Sequence, residues 1–542
     1  MKIKKYGLLM LVGLLFIFIV GCTNDSANED EKETTEPDKS TESTETDEPS
    51  TDSAYTGGEI RVALNTQPPS LDPHMGTATA TKDAARPIFE TLLALNANYE
   101  VEPMLAESYE QSEDGLQFTF NLRQGIKFHN GNEMKAEDVV ASLERWVSKA
   151  GRAKNAIGDG KFEIVDEYTV TLTLPEPSVG ALHVLASFNQ FGGIMPKEIV
   201  DNAPVDGITE YIGTGPYKFV EWKQDQYIKY ERYEEYQPVE GTPSGLAGKR
   251  EALVDTIFIE FVADSSTRVA GMTTEEYDIG IAMPVDSYDQ LKSMDELKTE
   301  IALASGPVVV FNKKEGLMTN PDMRHAFNMA LDYDSVMKAG FVSSDFYRLS
   351  PGIMFPEQKD WFTDVGKENY NPNNPELAKE MFEKAGYNGE TIRILTTRDY
   401  EYMYNIAIVV QAELKKIGVP VDVQVLDWPT LLEKMKDPSA YDLVTTGYST
   451  VTDPTQHLIF DPKNPGWNDD AKTAELIAKI RTSSTPAEAF PYWEELQEHT
   501  WMTQLPYIRF GDNYVLYAYN KGLEGFTQFE GLVLWNIGKK QD

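Results

Sequence analysis

The sequence predicts an α/β fold built on parallel strands, and residues 391–454 carry the prediction. Two segments there have the character of strands: Ile392–Thr397 is apolar and β-branched, and Val419–Leu426 alternates between apolar and polar residues. Between these strands, apolar residues recur at helical spacing from Ile406 to Ile417. A strand, a helix and a second strand in this order are typical of a parallel pair joined by a right-handed crossover.

A second crossover follows in the same stretch. A short helix at Thr430–Lys436 is predicted to lead to a third strand at Tyr441–Thr446. Ligands bind at the carboxyl ends of parallel strands, and Arg398, Trp428 and Tyr448 each stand within about two residues of such an end. A guanidinium fork and two aromatic rings suit an organic ligand that carries a carboxylate. Singly, each residue is more often a surface arginine or a core aromatic, but three at equivalent positions favour a ligand site.

The first 21 residues have the pattern of a secretory signal peptide. A lysine-rich start precedes Gly7–Val20, an apolar run too short and wrongly flanked for a stable membrane span. The run leads to Val-Gly-Cys, which resembles the lipobox after which bacterial lipoproteins are cleaved and diacylated. Cys22 is the only cysteine, so an internal disulfide is impossible and the residue is expected to carry a lipid anchor. The alternative is an uncleaved signal anchor.

Residues 22–57 are expected to form a disordered acidic tether between membrane and domain. Acids outnumber lysines so strongly that this stretch has a formal charge of about −10, and it has too few apolar residues for a core. The remaining body of about 485 residues exceeds the size of one core, which predicts two or three domains. The whole chain carries a formal charge of −38, which argues against nucleic acid and against unaided docking to anionic lipid.

Periodicity within the body predicts further elements in order. They are a strand at Glu59–Leu64, a helix that includes Ala84 to Leu93, a hairpin within Leu116–Gly131, a helix at Lys135–Ala150, a strand at Tyr168–Leu174, and two strands within Gly213–Tyr233. Sequence motifs typical of enzymes are missing from this part of the chain. The six histidines lack metal-ligand spacing, no GxSxG occurs, and GLAGKR departs from a phosphate-binding loop at both ends. The sequence therefore predicts no enzyme, no metal and no cofactor.

Several motifs together resemble a known family. The motifs are SLDPH, EPMLAESYEQSEDGLQFTFNLRQGIKFHNG, AEDVVASLERW, GTGPYKF, YDIGIAMP and FNKKEGLMTNPDMRHAFNMALDYDSV. In order and spacing they are similar to the solute-binding lipoproteins of peptide and nickel ABC transporters, that is, bacterial extracellular solute-binding protein family 5. The resemblance implies a two-lobed periplasmic-binding-protein fold (type 2, cluster C), in which two hinged lobes enclose the ligand and the first lobe contains an inserted domain.

The same resemblance implies domain limits. Lobe I would comprise 58–93, 209–300 and 509–542, the inserted domain 94–208, and lobe II 301–508. It also implies partners: a small peptide-like or other carboxylated solute, and an ABC permease with its ATPase. We expect a monomer outside the cytoplasm, held to the bacterial membrane by its lipid. The alternative from another class is a signalling or adhesion lipoprotein that binds ligand without transport.

Site residues follow from the resemblance one by one. Arg398, in TTRDY, matches the arginine that dipeptide-binding members use on the ligand carboxylate, and Tyr400 of the same motif joins the candidates. Trp428 in LDWPTLL matches a pocket tryptophan, and Tyr448 stands where the family usually has a tryptophan after glycine. Trp467, after a proline-rich loop, is a further candidate for the cleft.

One part of the family pattern is missing. Peptide-binding members place an aspartate a few residues after the Gly-Trp pair, where it meets the α-ammonium of the ligand. The matching stretch here, Ser449–Thr452, has no acid, and Asp453 is the nearest candidate. An Asp-Pro pair is also typical of a turn. Because a buried ammonium needs a counter-charge, the sequence predicts a ligand other than an ordinary peptide with a free N-terminus.

Overall fold

The computed structural model describes residues 57–540, and the signal peptide, Cys22 and nearly all of the acidic tether lie outside this range. The strands are β1 Glu59–Leu64, β2 Leu93–Leu95, β3 Val101–Pro103, β4 Ala106–Gln111, β5 Gln117–Leu122, β6 Lys161–Asp166, β7 Thr169–Thr173, β8 Tyr217–Lys223, β9 Tyr227–Arg232, β10 Thr256–Phe261, β11 Ile279–Met283, β12 Leu297–Phe311, β13 Tyr347–Arg348, β14 Ile392–Thr397, β15 Val421–Leu426, β16 Leu443–Ser449, β17 Tyr507–Arg509, β18 Asp512–Asn520, β19 Leu523–Glu524 and β20 Gly538–Lys539.

The helices alternate with these strands through much of the described chain. They are α1 Thr79–Ala85, α2 Ala136–Lys149, α3 Gly151–Ile157, α4 Ala181–Leu185, α5 Lys197–Asp201, α6 Ser265–Thr273, α7 Tyr288–Lys292, α8 Pro321–Met329, α9 Tyr333–Phe341, α10 Pro375–Lys384, α11 Glu401–Lys416, α12 Trp428–Lys434, α13 Ala471–Arg481 and α14 Pro486–His499. Within the described residues, no helix is both long enough and apolar enough to cross a membrane.

The largest sheet has 12 strands, ten of them in the order β15-β14-β16-β12-β18-β11-β1-β10-β9-β8. β14 pairs in parallel with both β15 and β16, which confirms the predicted parallel crossovers. β8 and β9 are the two strands predicted within Gly213–Tyr233, and the structure pairs them antiparallel. The third parallel strand begins two residues and ends three residues later than predicted.

Two long strands join the halves of this sheet. The first part of β12 pairs with β18, and from Ser305 onward the same strand pairs with β16. The register between β12 and β18 shifts between Leu303 and Ser305, which marks an irregularity at the point where β12 changes partner. There the Ser305 hydroxyl donates to Oδ1 of Asn513 at 2.6 Å.

Two predicted elements were wrong in detail. The helix does not run to Leu93: α1 ends at Ala85, because Pro87 has no N–H to donate and its ring blocks another turn. The residues that suggested a longer helix are buried, but they lie in the following turn and in β2. The predicted hairpin within Leu116–Gly131 is also wrong, since β5 lies between β4 and β7 in a separate four-stranded sheet.

Candidate functional site

Three parallel strands end side by side at one edge of the large sheet, here called the carboxyl rim. Arg398 directly follows β14, Trp428 stands two residues past β15, and Tyr448 is the last residue but one of β16. Adjacent strands lie about 4.8 Å apart, so residues at equivalent ends are neighbours. The structure therefore places these three predicted residues along one rim. Their role in ligand binding stays a prediction.

Arg398 presents an uncommitted guanidinium at this rim. The residue is exposed, and its guanidinium carbon lies 4.1 Å from the centre of the Tyr404 ring, a cation–π contact that supports the side chain. Throughout residues 57–540 it has no hydrogen bond and no ion pair with a carboxylate. Arg393, on the same strand, is instead paired with Asp442. The five N–H donors of Arg398 are thus available to a planar anion.

Tyr400 and Trp428 form an aromatic pair next to the arginine. Their ring centres are 5.0 Å apart and the planes meet at 77°, an edge-to-face contact. The backbone N–H of Trp428 donates to Oδ2 of Asp399 at 2.7 Å, while Asp427 caps α12 by accepting from the Thr430 N–H. Tyr400 remains 45% exposed, so it offers a ring face to a ligand. The structure places both residues at this edge, where the sequence predicted Trp428; their role in ligand binding stays a prediction.

Tyr448 is held by contacts with two aromatic rings, those of Tyr507 and His457. Its ring contacts Tyr507 edge-on at 5.9 Å between centres, and burial raises the pKa of its phenol, so the hydroxyl is a donor at neutral pH. The preceding Gly447 is required by a close approach: a Cβ there would lie 2.5 Å from the hydroxyl oxygen of Tyr402. Tyr402 and Tyr404 were not singled out from the sequence, although the alternating tyrosines of DYEYMY were a signal.

Asp453 does not join the open rim. It is fully buried, and its carboxylate accepts from the backbone N–H of Thr455 at 2.9 Å and from the side-chain amide of Gln456. Gly180 packs so closely that a Cβ there would be 2.8 Å from Oδ2 of the aspartate. The sequence left two roles open for Asp453, a partner for a ligand ammonium or a turn residue. In the structure its carboxylate makes the hydrogen bonds of a turn residue.

Trp467 lies at the other end of β16 from Tyr448. Its ring is 6.2 Å from that of Tyr441, which precedes the strand, and Lys314 covers it at 5.4 Å. Trp467 and Tyr448 are thus separated by most of the strand, roughly 20 Å at 3.3 Å per residue. The structure does not bring Trp467 together with the rim residues, because the loop before it folds back along the β12–β16 pair.

A group of buried and half-buried charges, here called the charge cluster, lies where the chain leaves β16. Its members are Lys82, Asp83 and Arg86 around α1, Arg152 of α3, and Glu530 near the C-terminus. Glu530 stands beside Thr450, one residue past β16, and accepts a 2.5 Å hydrogen bond from the Tyr99 hydroxyl. Sequence patterns gave no hint of this cluster, since its members are far apart in the chain.

The described residues were also compared with the geometry that a metal ion needs. In the part of the chain that the structure describes, no three His, Cys, Asp or Glu side chains are grouped so that they could hold a metal ion. The one histidine near the carboxyl rim, His457, is buried, and burial lowers its pKa to about 3, so its ring is neutral. The rim therefore offers a cation, phenols and an indole to a ligand.

Comparison with known proteins agrees with this geometry. The family model of bacterial extracellular solute-binding proteins, family 5 (middle), matches residues 100–470. The chain is 28% identical to a probable peptide ABC transporter periplasmic-binding protein, y4tO, of Sinorhizobium fredii, a match that covers 86% of this chain and 91% of that one. It is 27% identical to the oligopeptide-binding protein AppA of Bacillus subtilis, with 99% of each covered.

Solved structures give the same result for the fold. AgaA from A. tumefacien R10, in complex with agropinic acid, superposes with a TM-score of 0.74 at 26% identity and covers 90% of this chain and 99% of that one. Agreement over nearly the whole of both chains confirms the predicted two-lobed α/β fold. The individual domain limits stay a prediction.

Proposed function

The chain belongs to the bacterial extracellular solute-binding proteins of family 5, and from this premise we propose that it is the receptor of an ABC importer for a small carboxylated solute. The solute would be enclosed between two lobes that hinge at the crossing of β12 and β18 and would then be passed to the permease. A ligand that touches both lobes favours the closed state by the contacts it makes only there. The names of the relatives support transport over signalling or adhesion alone.

One observation carries the ligand class: Arg398 is exposed at the carboxyl rim without a carboxylate partner among residues 57–540. The aromatic pair of Tyr400 and Trp428 lies beside it and can cover the apolar part of a solute. The relatives differ in what their names say they bind, an oligopeptide for AppA and agropinic acid for AgaA. A carboxylate is the group common to a peptide and an organic acid.

We propose further that the solute is not an ordinary peptide with a free N-terminus. The stretch after Tyr448 has no acid before Asp453, whose carboxylate is used within its own turn. Glu530 stands near Thr450 of that stretch, but its carboxylate accepts from the Tyr99 hydroxyl. A free α-ammonium would be poorly compensated there.

The ligand class is tested by calorimetric titration. We expect N-acetylated di-, tri- and pentapeptides and agropinic acid to bind at least as well as the corresponding free peptides. Small-angle scattering should show compaction on addition of the tightest binder, because the lobes close around it. Submicromolar binding of free peptides that is lost on N-acetylation would contradict the proposal and would show that an acid of this site meets the ammonium. Turnover of a bound compound by the pure protein would contradict the receptor role.

Membrane attachment is a separate proposal, since Cys22 lies outside the described residues. We expect Cys22→Ser to leave the membrane fraction and appear in the soluble extracytoplasmic fraction, because the lipid on this residue would be the only anchor. The matched control is Ser26→Ala in the same tether, which should stay in the membrane fraction. Retention of Cys22→Ser in the membrane at the level of the unchanged protein would disprove the lipoprotein assignment.

A further inference from the structure

Val179 packs in a different core from its neighbours in the chain. Leu174 before it and Ala181 after it are buried in the core around the small four-stranded sheet. Val179 is also buried, but it belongs to the core formed by β12, β16 and α13, where Val444 and Ile477 lie. Among the described residues, it is the only buried member of that core that precedes β12. The chain therefore leaves one core, enters another and returns within a short loop between β7 and α4.

Two close contacts hold the tip of this loop. The backbone N–H of Val179 donates to the carbonyl of Arg481, the last residue of α13, at 3.1 Å. Gly180 lies directly against Asp453, because a Cβ on this glycine would be 2.8 Å from Oδ2 of the aspartate. The backbone of Gly180 is in the right-handed helical region, which is open to residues with side chains. It is therefore the lack of space beside Asp453 that requires a glycine here.

A neighbouring turn of the small sheet faces the same helix pair. A Cβ on Gly115, in the turn between β4 and β5, would be 3.4 Å from Oγ of Ser484 in the connection from α13 to α14. The same Cβ would be 3.7 Å from Cβ of Pro177, so the turn and the loop lie side by side. Pro175 and Pro177 fix two φ angles of the loop, which makes it stiff. The turn and the loop thus form one surface that meets the end of α13.

We propose that residues 174–180, here called the latch loop, hold the two lobes closed through contacts that the protein makes by itself, and so slow the release of a solute. The loop lies in the predicted inserted domain, 94–208, whereas α13 lies in predicted lobe II, 301–508. Opening of the lobes would withdraw Val179 from an apolar core and break its hydrogen bond to Arg481, and both changes are unfavourable. The inference rests on the proposed receptor function and adds to it a second closure contact, apart from the solute.

Distances between two spin labels test the latch loop without a solute. Val165→Cys on β6 and Lys384→Cys on α10 place one label on each side of the contact, and both positions are exposed. Cys22→Ser removes the only native cysteine from the same chain. We expect the shorter, closed distance to predominate in this labelled protein. Gly180→Ala should shift the equilibrium toward the longer distance by about tenfold, because the added Cβ does not fit beside Asp453.

Three further variants show whether the contact itself is responsible. Asp453→Ala combined with Gly180→Ala should restore the shorter distance, since it makes room for the added Cβ. Val179→Asp should open the lobes as well, because a carboxylate is costly to bury in the apolar core. Gly151→Ala on α3 is the control and should change nothing, as a Cβ there meets no atom within 4 Å. Unchanged distances in both Gly180→Ala and Val179→Asp, even with a lower Tm, would show a purely structural role and overturn the latch.

The rate of solute release separates this inference from the proposed function. With agropinic acid or N-acetyl-trialanine as the probe, stopped-flow fluorescence should show roughly tenfold faster dissociation from Gly180→Ala. Arg398→Ala should weaken binding of the same probe but leave the distances of the ligand-free protein unchanged. If the probes bind and both Gly180→Ala and Val179→Asp release them at the original rate, the latch falls and the receptor stands. If the distances shift as expected but neither probe binds, closure by the latch stands and the proposed ligand class fails.

Discussion

Arg398→Ala is expected to weaken solute binding by about 30-fold or more. Closure around the solute would take the guanidinium and its carboxylate partner out of water, and truncating one member of such a pair costs on the order of 2–5 kcal/mol. At about 1.4 kcal/mol per factor of ten, the lower limit corresponds to about 30-fold and the upper limit to several thousand-fold. The stability of the ligand-free protein should change little, because Arg398 is exposed and unpaired within the described chain.

Three further variants test whether the shape of the guanidinium, its supporting ring or charge alone matters for binding. Arg398→Lys should recover only part of the affinity, since a point charge cannot provide the planar fork of two N–H donors. Tyr404→Leu should weaken binding by less than tenfold, because it removes only the ring that supports the guanidinium. Lys384→Ala on α10 is the control for the loss of a surface charge. Equal affinity of Arg398→Ala and the unchanged protein for every carboxylated binder would exclude the carboxylate role.

The part of the fold that the sequence predicted best is the part with the strongest periodicity. β14 and β15 are short β-branched runs, and the helix between them repeats apolar residues at 3.6-residue spacing, so each element has one favoured conformation. Parallel pairing then follows because the connection is long enough to hold a crossover helix. Parallel strands end at the same edge of a sheet, so Arg398, Trp428 and Tyr448 are predicted to share that edge. For this reason the rim was predictable without knowledge of the lobes.

Other features depend on contacts between distant segments and left no local signal. Lys82 looks like an ordinary helical lysine in the sequence, but Phe188 and the C-terminal segment at Gly531 lie against its side chain and the residue is buried. The carboxylate of Asp453 accepts hydrogen bonds from Thr455 and Gln456. The sequence alone does not show whether an aspartate before a proline bonds within its own turn or to a ligand. The segment after β5 was mistaken for a second strand because β5 finds its partners on either side in β4 and β7.

The SLDPHM motif forms a buried polar network whose loss should have the largest effect on stability. Asp72 is fully buried, and its two oxygens accept from Nη1 and Nη2 of Arg145 on α2, at 3.1 and 2.5 Å. The backbone N–H groups of His74 and Ile208 donate to the same carboxylate. Burial would raise the pKa of Asp72, but Arg145 and these donors hold it below its usual range.

His74 completes the network in its neutral form. Its Nδ1 accepts from Nη1 of Arg145 at 2.8 Å, which leaves the proton on Nε2, and that N–H donates to the carbonyl of Gly193 at 2.9 Å. Burial lowers the pKa of His74 to about 4, in agreement with an acceptor nitrogen facing a guanidinium. The network thus ties the segment after β1 to α2 and to the loop before α5, with Asp72 as the only carboxylate that Arg145 meets among residues 57–540.

Asp72→Ala is expected to lower the free energy of unfolding by about 3–5 kcal/mol, because it leaves a buried guanidinium without its counter-charge and two backbone N–H groups without an acceptor. Asp72→Asn keeps the shape and one acceptor oxygen and should lose less. The control is Asp201→Ala, which removes an ion pair with Lys197 that is about half exposed and should change stability by roughly 0.5 kcal/mol or less. Urea unfolding followed by tryptophan fluorescence measures all three variants. A loss from Asp72→Ala no greater than that from Asp201→Ala would show that Arg145 finds water in the variant and that the network does not join these segments energetically.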